Sequence, residues 1–134
     1  MREKNMKSMF LEALQTGRVR TDAINRKISG ILDVINEADS AINSIYPQAR
    51  IKSRVQDDGA LSTISVFASV GEDLITRRVM DIEVNKSDVD TFYVTWREGK
   101  NPISEVGDLA ELLSHIFSSP SFLIGIEDMI SSIK

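Results

Sequence analysis

The strongest constraint in this chain is a stripe of seven apolar residues. Ile24, Ile28, Ile31, Ile35, Ala38, Ile42 and Ile45 follow one another at alternating spacings of four and three. With 3.6 residues per turn, that spacing puts all seven on one face of a single α-helix. Thr21 or Asp22 can cap its start. Tyr46-Pro47 ends it, because the residue before a proline disfavours the helical region. The same spacing also describes a coiled-coil seam, so a helix-mediated homodimer is one reading. Leu32, Val34 and Ala41 widen the stripe on both sides, and a wide stripe suits packing on a globular core better than a narrow two-stranded seam.

Upstream, Met6, Met9, Phe10, Ala13 and Leu14 predict a shorter helix over 3–15. Thr16-Gly17 is expected to stop it, since glycine accepts the left-handed conformation that closes helices. This peripheral segment is rich in methionine, a side chain that adapts to irregular surfaces. Met6, Met9 and Phe10 are therefore the candidate interface residues.

Downstream of Pro47 the period changes from 3.6 to two. Arg50 to Val55 alternates polar and apolar, as a half-buried strand does. Asp57-Asp58-Gly59 signals a turn, and a second strand follows over 61–68. A third strand is expected over 74–84, with a bulge where Thr76-Arg77-Arg78-Val79 breaks the alternation. A fourth carries Phe92, Val94 and Trp96 on one face and Tyr93, Thr95 and Arg97 on the other. Glu98 to Pro102 is read as the turn that closes it. Two amphipathic helices follow, over 103–117 and from Ser119, with Pro120 at the first helical position.

Successive strands with short connections predict an antiparallel sheet rather than parallel crossovers. The expected fold class is α+β: a meander of about four strands over residues 50–97, covered by the long N-terminal helix and two C-terminal helices. The 134 residues suit one domain spanning 1–134, with 42% apolar side chains to fill its core. Cysteine is absent, which excludes disulfides, thiolate metal sites and a thiol nucleophile. The opening MREKNMKSMF has no apolar stretch of signal-peptide type. No run approaches the roughly 20 apolar residues of a membrane span. A cytoplasmic protein without membrane contact is expected.

The formal net charge is −4 and is unevenly spread: residues 1–60 carry 10 basic and 8 acidic side chains, residues 61–134 carry 6 and 12. An acidic chain is a poor general nucleic-acid binder, but a local basic face is possible. Arg50, Lys52 and Arg54 project the same way from one strand. Tyr93 and Arg97, with Arg77 or Arg78, can share that face. Cations beside an exposed ring are the parts of a single-strand nucleic-acid platform; the plainer reading is a solvated sheet face.

Asp108, Glu111 and His115 fall at i, i+3 and i+7 of one helix and could furnish part of a metal or acid–base site. A second histidine is missing, so an exposed polar edge is the simpler account, and no metal or cofactor is expected. The sequence has no nucleophile elbow, phosphate-binding glycine loop or zinc-protease pattern. The expected function is therefore non-catalytic. The chain reads as a protein-interaction module, such as a small cytosolic inhibitor, immunity-type protein, adaptor or chaperone with a macromolecular partner, acting as monomer or homodimer. The alternative is nucleic-acid binding through the basic sheet face.

Overall fold

A computed structural model of the chain describes residues 3–88, 90–97 and 99–133, with side chains from residue 5 onward. Helix α1 spans Glu3–Ile45, about 65 Å at 1.5 Å per residue. Strands β1 (Ala49–Asp57), β2 (Leu61–Val70), β3 (Ile75–Asn85), β4 (Phe92–Trp96) and β5 (Gly99–Ile103) follow, then helices α2 (Val106–Phe117) and α3 (Pro120–Ser132). The strands form one antiparallel sheet in the order β1-β2-β3-β4-β5. The expected α+β architecture is present with five strands rather than four.

The core lies between one face of the sheet and the three helices. Ile24, Ile31, Ile35, Ala38 and Ile42 of α1 are buried against Ile51, Ile64, Val66, Ile82, Val84, Phe92 and Val94. The wide apolar stripe thus packs on the chain's own sheet. Leu109, Leu113 and Ile116 of α2, and Ile126 and Met129 of α3, complete the layer. Among the described residues, no single helix is long and apolar enough to cross a membrane.

Three local expectations are corrected. The helix over 3–15 does not stop at Thr16-Gly17. Gly17 is an interior residue of α1, and Thr21 is not a cap; its hydroxyl donates to the Gly17 carbonyl at 2.8 Å, one turn back. A glycine in a helix interior costs about 1 kcal/mol relative to alanine, which good helix formers on either side outweigh. Residues 99–103, read as part of a closing turn and the start of a helix, are instead edge strand β5. Pro102 is tolerated there because an edge strand has one side without a ladder partner. Ile103 is the one β5 residue that reaches the core.

The third correction concerns faces. The register of β2 on β3 slips by one between Val66–Met80 and Phe67–Arg78, which leaves Val79 as the extra residue within the stretch where a bulge was expected. Arg78 therefore stands opposite Phe67 on the outer face. Arg77 stands opposite the buried Ala68 on the helix-covered face.

Candidate functional site

Four surfaces carry the residues that could act. The first is the outer face of the sheet. Arg50, Lys52 and Arg54 lie there, opposite Ser69, Phe67 and Ser65, and Tyr93 lies there opposite Glu83. Arg77 and Arg97 do not. Arg97 sits in the tight connection between Trp96 and Gly99 at φ 57°. Its guanidinium lies 4.6 Å from the Trp96 ring centre.

The outer face is not a bare basic patch, because most of its cations are matched. Arg50 donates from Nε and Nη2 to Asp39 at 2.8 and 2.6 Å, and the Ile51 N–H donates to the same carboxylate at 2.9 Å. These bonds staple β1 to α1, and the Arg50 guanidinium holds the Asp39 carboxyl below its ordinary value. Lys52 donates to Asp73 at 2.8 Å, and Ser69 donates to it at 2.5 Å. Both hold Asp73 below its ordinary value. Lys100 pairs with Glu83 at 2.9 Å and Arg78 with Asp81 at 3.3 Å.

Arg54 makes no ion pair among the described residues. It lies 5.5 Å from the Phe67 ring, which Arg78 approaches at 5.7 Å. Phe67 is a ring the sequence reading missed on this face. Its signal was present in the alternation of β2, which puts 61, 63, 65, 67 and 69 on the side opposite Ile64, Val66 and Ala68.

The second surface is the N-terminal half of α1. Residues 5–22 are exposed throughout, with Met6 at 47%, Met9 at 57%, Phe10 at 62% and Leu14 at 70% of full exposure. Counting 100° per residue, Met6, Met9, Phe10 and Ala13 continue the same stripe that Ile24 to Ile42 bury farther along. One apolar face therefore runs the length of α1, and the domain covers only its C-terminal half. Residues 1–20 carry five basic and two acidic side chains, whereas the remainder carries 11 and 18. By sequence, residues 1–20 are thus net basic and the remainder net acidic.

The third surface is a shallow apolar groove where α1 meets α2. Val34, Ala38, Ala41, Leu113 and Phe117 line it, and Asp33 and Glu37 form an acidic rim.

The fourth is a cleft of about 230 Å³ between the start of β3, the end of β4 and the α2–α3 corner, bordered by Arg77, Trp96, Arg97, Ser119, Ser121 and Phe122.

The helical set Asp108, Glu111 and His115 brings nothing together. No group of three or more metal-ligating side chains occurs among the described residues. The His115 ring packs edge-on against Trp96, 6.1 Å between centres.

Compared with known proteins, the chain matches no family model, no curated protein and no solved structure. Its class is therefore defined by its own geometry: a small α+β domain from which one helix projects well past the body.

Proposed function

We propose that this chain is a non-catalytic protein-interaction module that engages a macromolecular partner through the projecting half of α1. One observation carries the reading: the uncovered apolar stripe of Met6, Met9, Phe10 and Leu14. An isolated helix of this length is marginal in water, and a contiguous exposed apolar patch usually marks an interaction site. Exposed Lys7, Arg18 and Arg20 in this stretch favour a partner with an acidic rim and an apolar groove, a helix-in-groove mode of recognition. Electrostatic attraction would speed the encounter, and the apolar anchors would set the lifetime of the complex. A small cytosolic inhibitor, immunity-type protein, adaptor or chaperone would use such an arm.

The test is recovery of a stoichiometric protein on the immobilised chain from nuclease-treated lysate, compared with the Phe10→Glu/Leu14→Glu double variant. The native chain should retain a defined partner and the variant should lose it, while both bodies unfold at the same urea concentration. Equal recovery by both proteins would remove the arm from the interaction. Light scattering of the purified chain at rising concentration tests whether that partner is a second copy.

A second reading draws on Phe67 between Arg54 and Arg78. That arrangement supports single-strand nucleic-acid stacking on the outer sheet face. The ion pairs of Arg50, Lys52, Lys100 and Arg78 weigh against it, because phosphate contacts there must displace existing carboxylates. It predicts oligonucleotide binding that falls steeply with salt and disappears in Phe67→Ala.

A further inference from the structure

The cleft between the sheet and the α2–α3 corner holds two arginines, Arg77 and Arg97, that have no carboxylate partner among the described residues. The chain carries more acidic than basic side chains, and Arg50, Lys52, Arg78, Lys86 and Lys100 each find a carboxylate within 4 Å. Among the described residues, Arg77 and Arg97 form no ion pair, and no acidic side chain borders the cleft they share. Two guanidinia gathered at one concavity repel each other, and an anion between them removes that cost.

Both arginines are also positioned. Arg97 is in the left-handed region, uncommon for a residue with a side chain, and its guanidinium lies over the Trp96 ring, a contact that suits a cation. Arg77 lies against the backbone of α3. A Cβ at Gly125 would stand 2.7 Å from Arg77 Nη1. Gly125 sits in the interior of α3, where glycine costs about 1 kcal/mol relative to alanine, and its missing side chain is the space the guanidinium occupies.

The other polar borders are Arg78, which is paired with Asp81 at 3.3 Å, and two hydroxyls, beside a ring. Ser119 and Ser121 stand at the start of α3, their oxygens 2.9 Å apart, and the Ser119 side chain caps none of the helix's own N–H groups. Phe122 is held in place by stacking on Phe117, 5.1 Å between centres.

We propose that this cleft binds a phosphate group, free or as the monoester of a small molecule. Two guanidinium forks and two hydroxyls offer more donors than the two oxygens of a carboxylate can accept. A phosphate offers three or more oxygens and up to two negative charges. The positive end of α3 adds to the attraction. The Phe122 ring gives an apolar wall for the organic part of an ester. The site is separate from the projecting arm, so it stands or falls independently of the proposed partner.

Trp96 is the one tryptophan of the chain and borders the cleft, so its fluorescence reports occupancy. Inorganic phosphate and phenyl phosphate are titrated against sodium chloride at matched ionic strength, with calorimetry in parallel. The expected result is a saturable change in emission and measurable heat with the phosphates but not with chloride. Arg77→Gln and Arg97→Gln should each weaken binding at least tenfold by calorimetry. Gly125→Ala keeps both charges but displaces the Arg77 guanidinium, and it should weaken binding similarly. Lys52→Gln, on the opposite face, should bind like the native chain. Tighter binding of phenyl phosphate than of inorganic phosphate identifies an ester as the ligand; equal binding identifies the free anion. A response that fails to saturate, is reproduced by chloride, or persists unchanged in Arg77→Gln and Gly125→Ala overturns the proposal.

Discussion

Replacing Gly17 by alanine tests the continuity of α1 by the sign of its effect. In the structure Gly17 is an interior helical residue, and a Cβ there would meet no atom within 4 Å. Alanine is favoured over glycine in a helix interior by about 1 kcal/mol, a factor of about five in the local helix–coil equilibrium. If Gly17 instead ended one helix in the left-handed conformation, the same substitution would destabilise by a comparable amount, because the added Cβ is strained there.

The assay is amide hydrogen exchange over residues 13–23, where protection comes from the helix and not from burial. Gly17→Ala should slow exchange about fivefold through that window and raise the helical circular dichroism signal. The urea midpoint of the body should stay where it is, since a Cβ at Gly17 would meet none of it within 4 Å. Gly17→Pro should do the reverse, costing about 2 kcal/mol relative to glycine and letting the residues before it exchange as an unfolded peptide. Faster exchange in Gly17→Ala would show that two helices meet at Gly17, and the projecting rod would be lost with it.

Two further outcomes follow from the body. Ile31 is fully buried at the centre of the α1 stripe, so Ile31→Ala should lower unfolding stability by about 3 kcal/mol through lost transfer energy and the cavity left behind; a loss below about 1 kcal/mol in a urea melt would place Ile31 outside the core. Asp39 supplies a pH dependence. Its carboxyl is held below the ordinary value of 3.8, first by the hydrogen bonds from Arg50, so it contributes stability that is complete above that value and is lost as pH falls through the lower folded-state value. Asp39→Asn should flatten the acid limb of the stability profile below about pH 4 and leave its neutral-to-alkaline shape unchanged; an acid limb identical to the native one would refute the staple.

Most of the fold was legible because burial leaves a period in the sequence. The seven-residue stripe of α1, the alternation of β2 and the apolar faces of α2 and α3 each announce an element, because one side of each must leave water. The antiparallel order was legible too, since the connections between strands are too short for a crossover. Strand β5 was not. Its residues Gly99 to Pro102 are exposed and carry turn composition; they are a strand only because β4 offers an open edge, and Ile103 alone marks the core side.

The candidate surfaces divide along the same line. Alternation alone placed Arg50, Lys52, Arg54 and Tyr93 on a common face. It could not place Arg77, because a one-residue bulge at Val79 exchanges the faces of every residue before it. Nor could it foresee that Asp39, Asp73 and Glu83 would come from other elements to match the face's cations.

What the sequence determined by itself is local: which segments are helix or strand, and which side of each seeks the core. What only the tertiary structure decided is where those sides are satisfied. A helical stripe specifies a face but not how far along it a body extends, so the uncovered arm emerged only once the sheet proved too small to span α1. The pairing of charges across elements, and the cleft that gathers Arg77 to Arg97, depend on contacts between residues distant in the chain. No local period records such contacts.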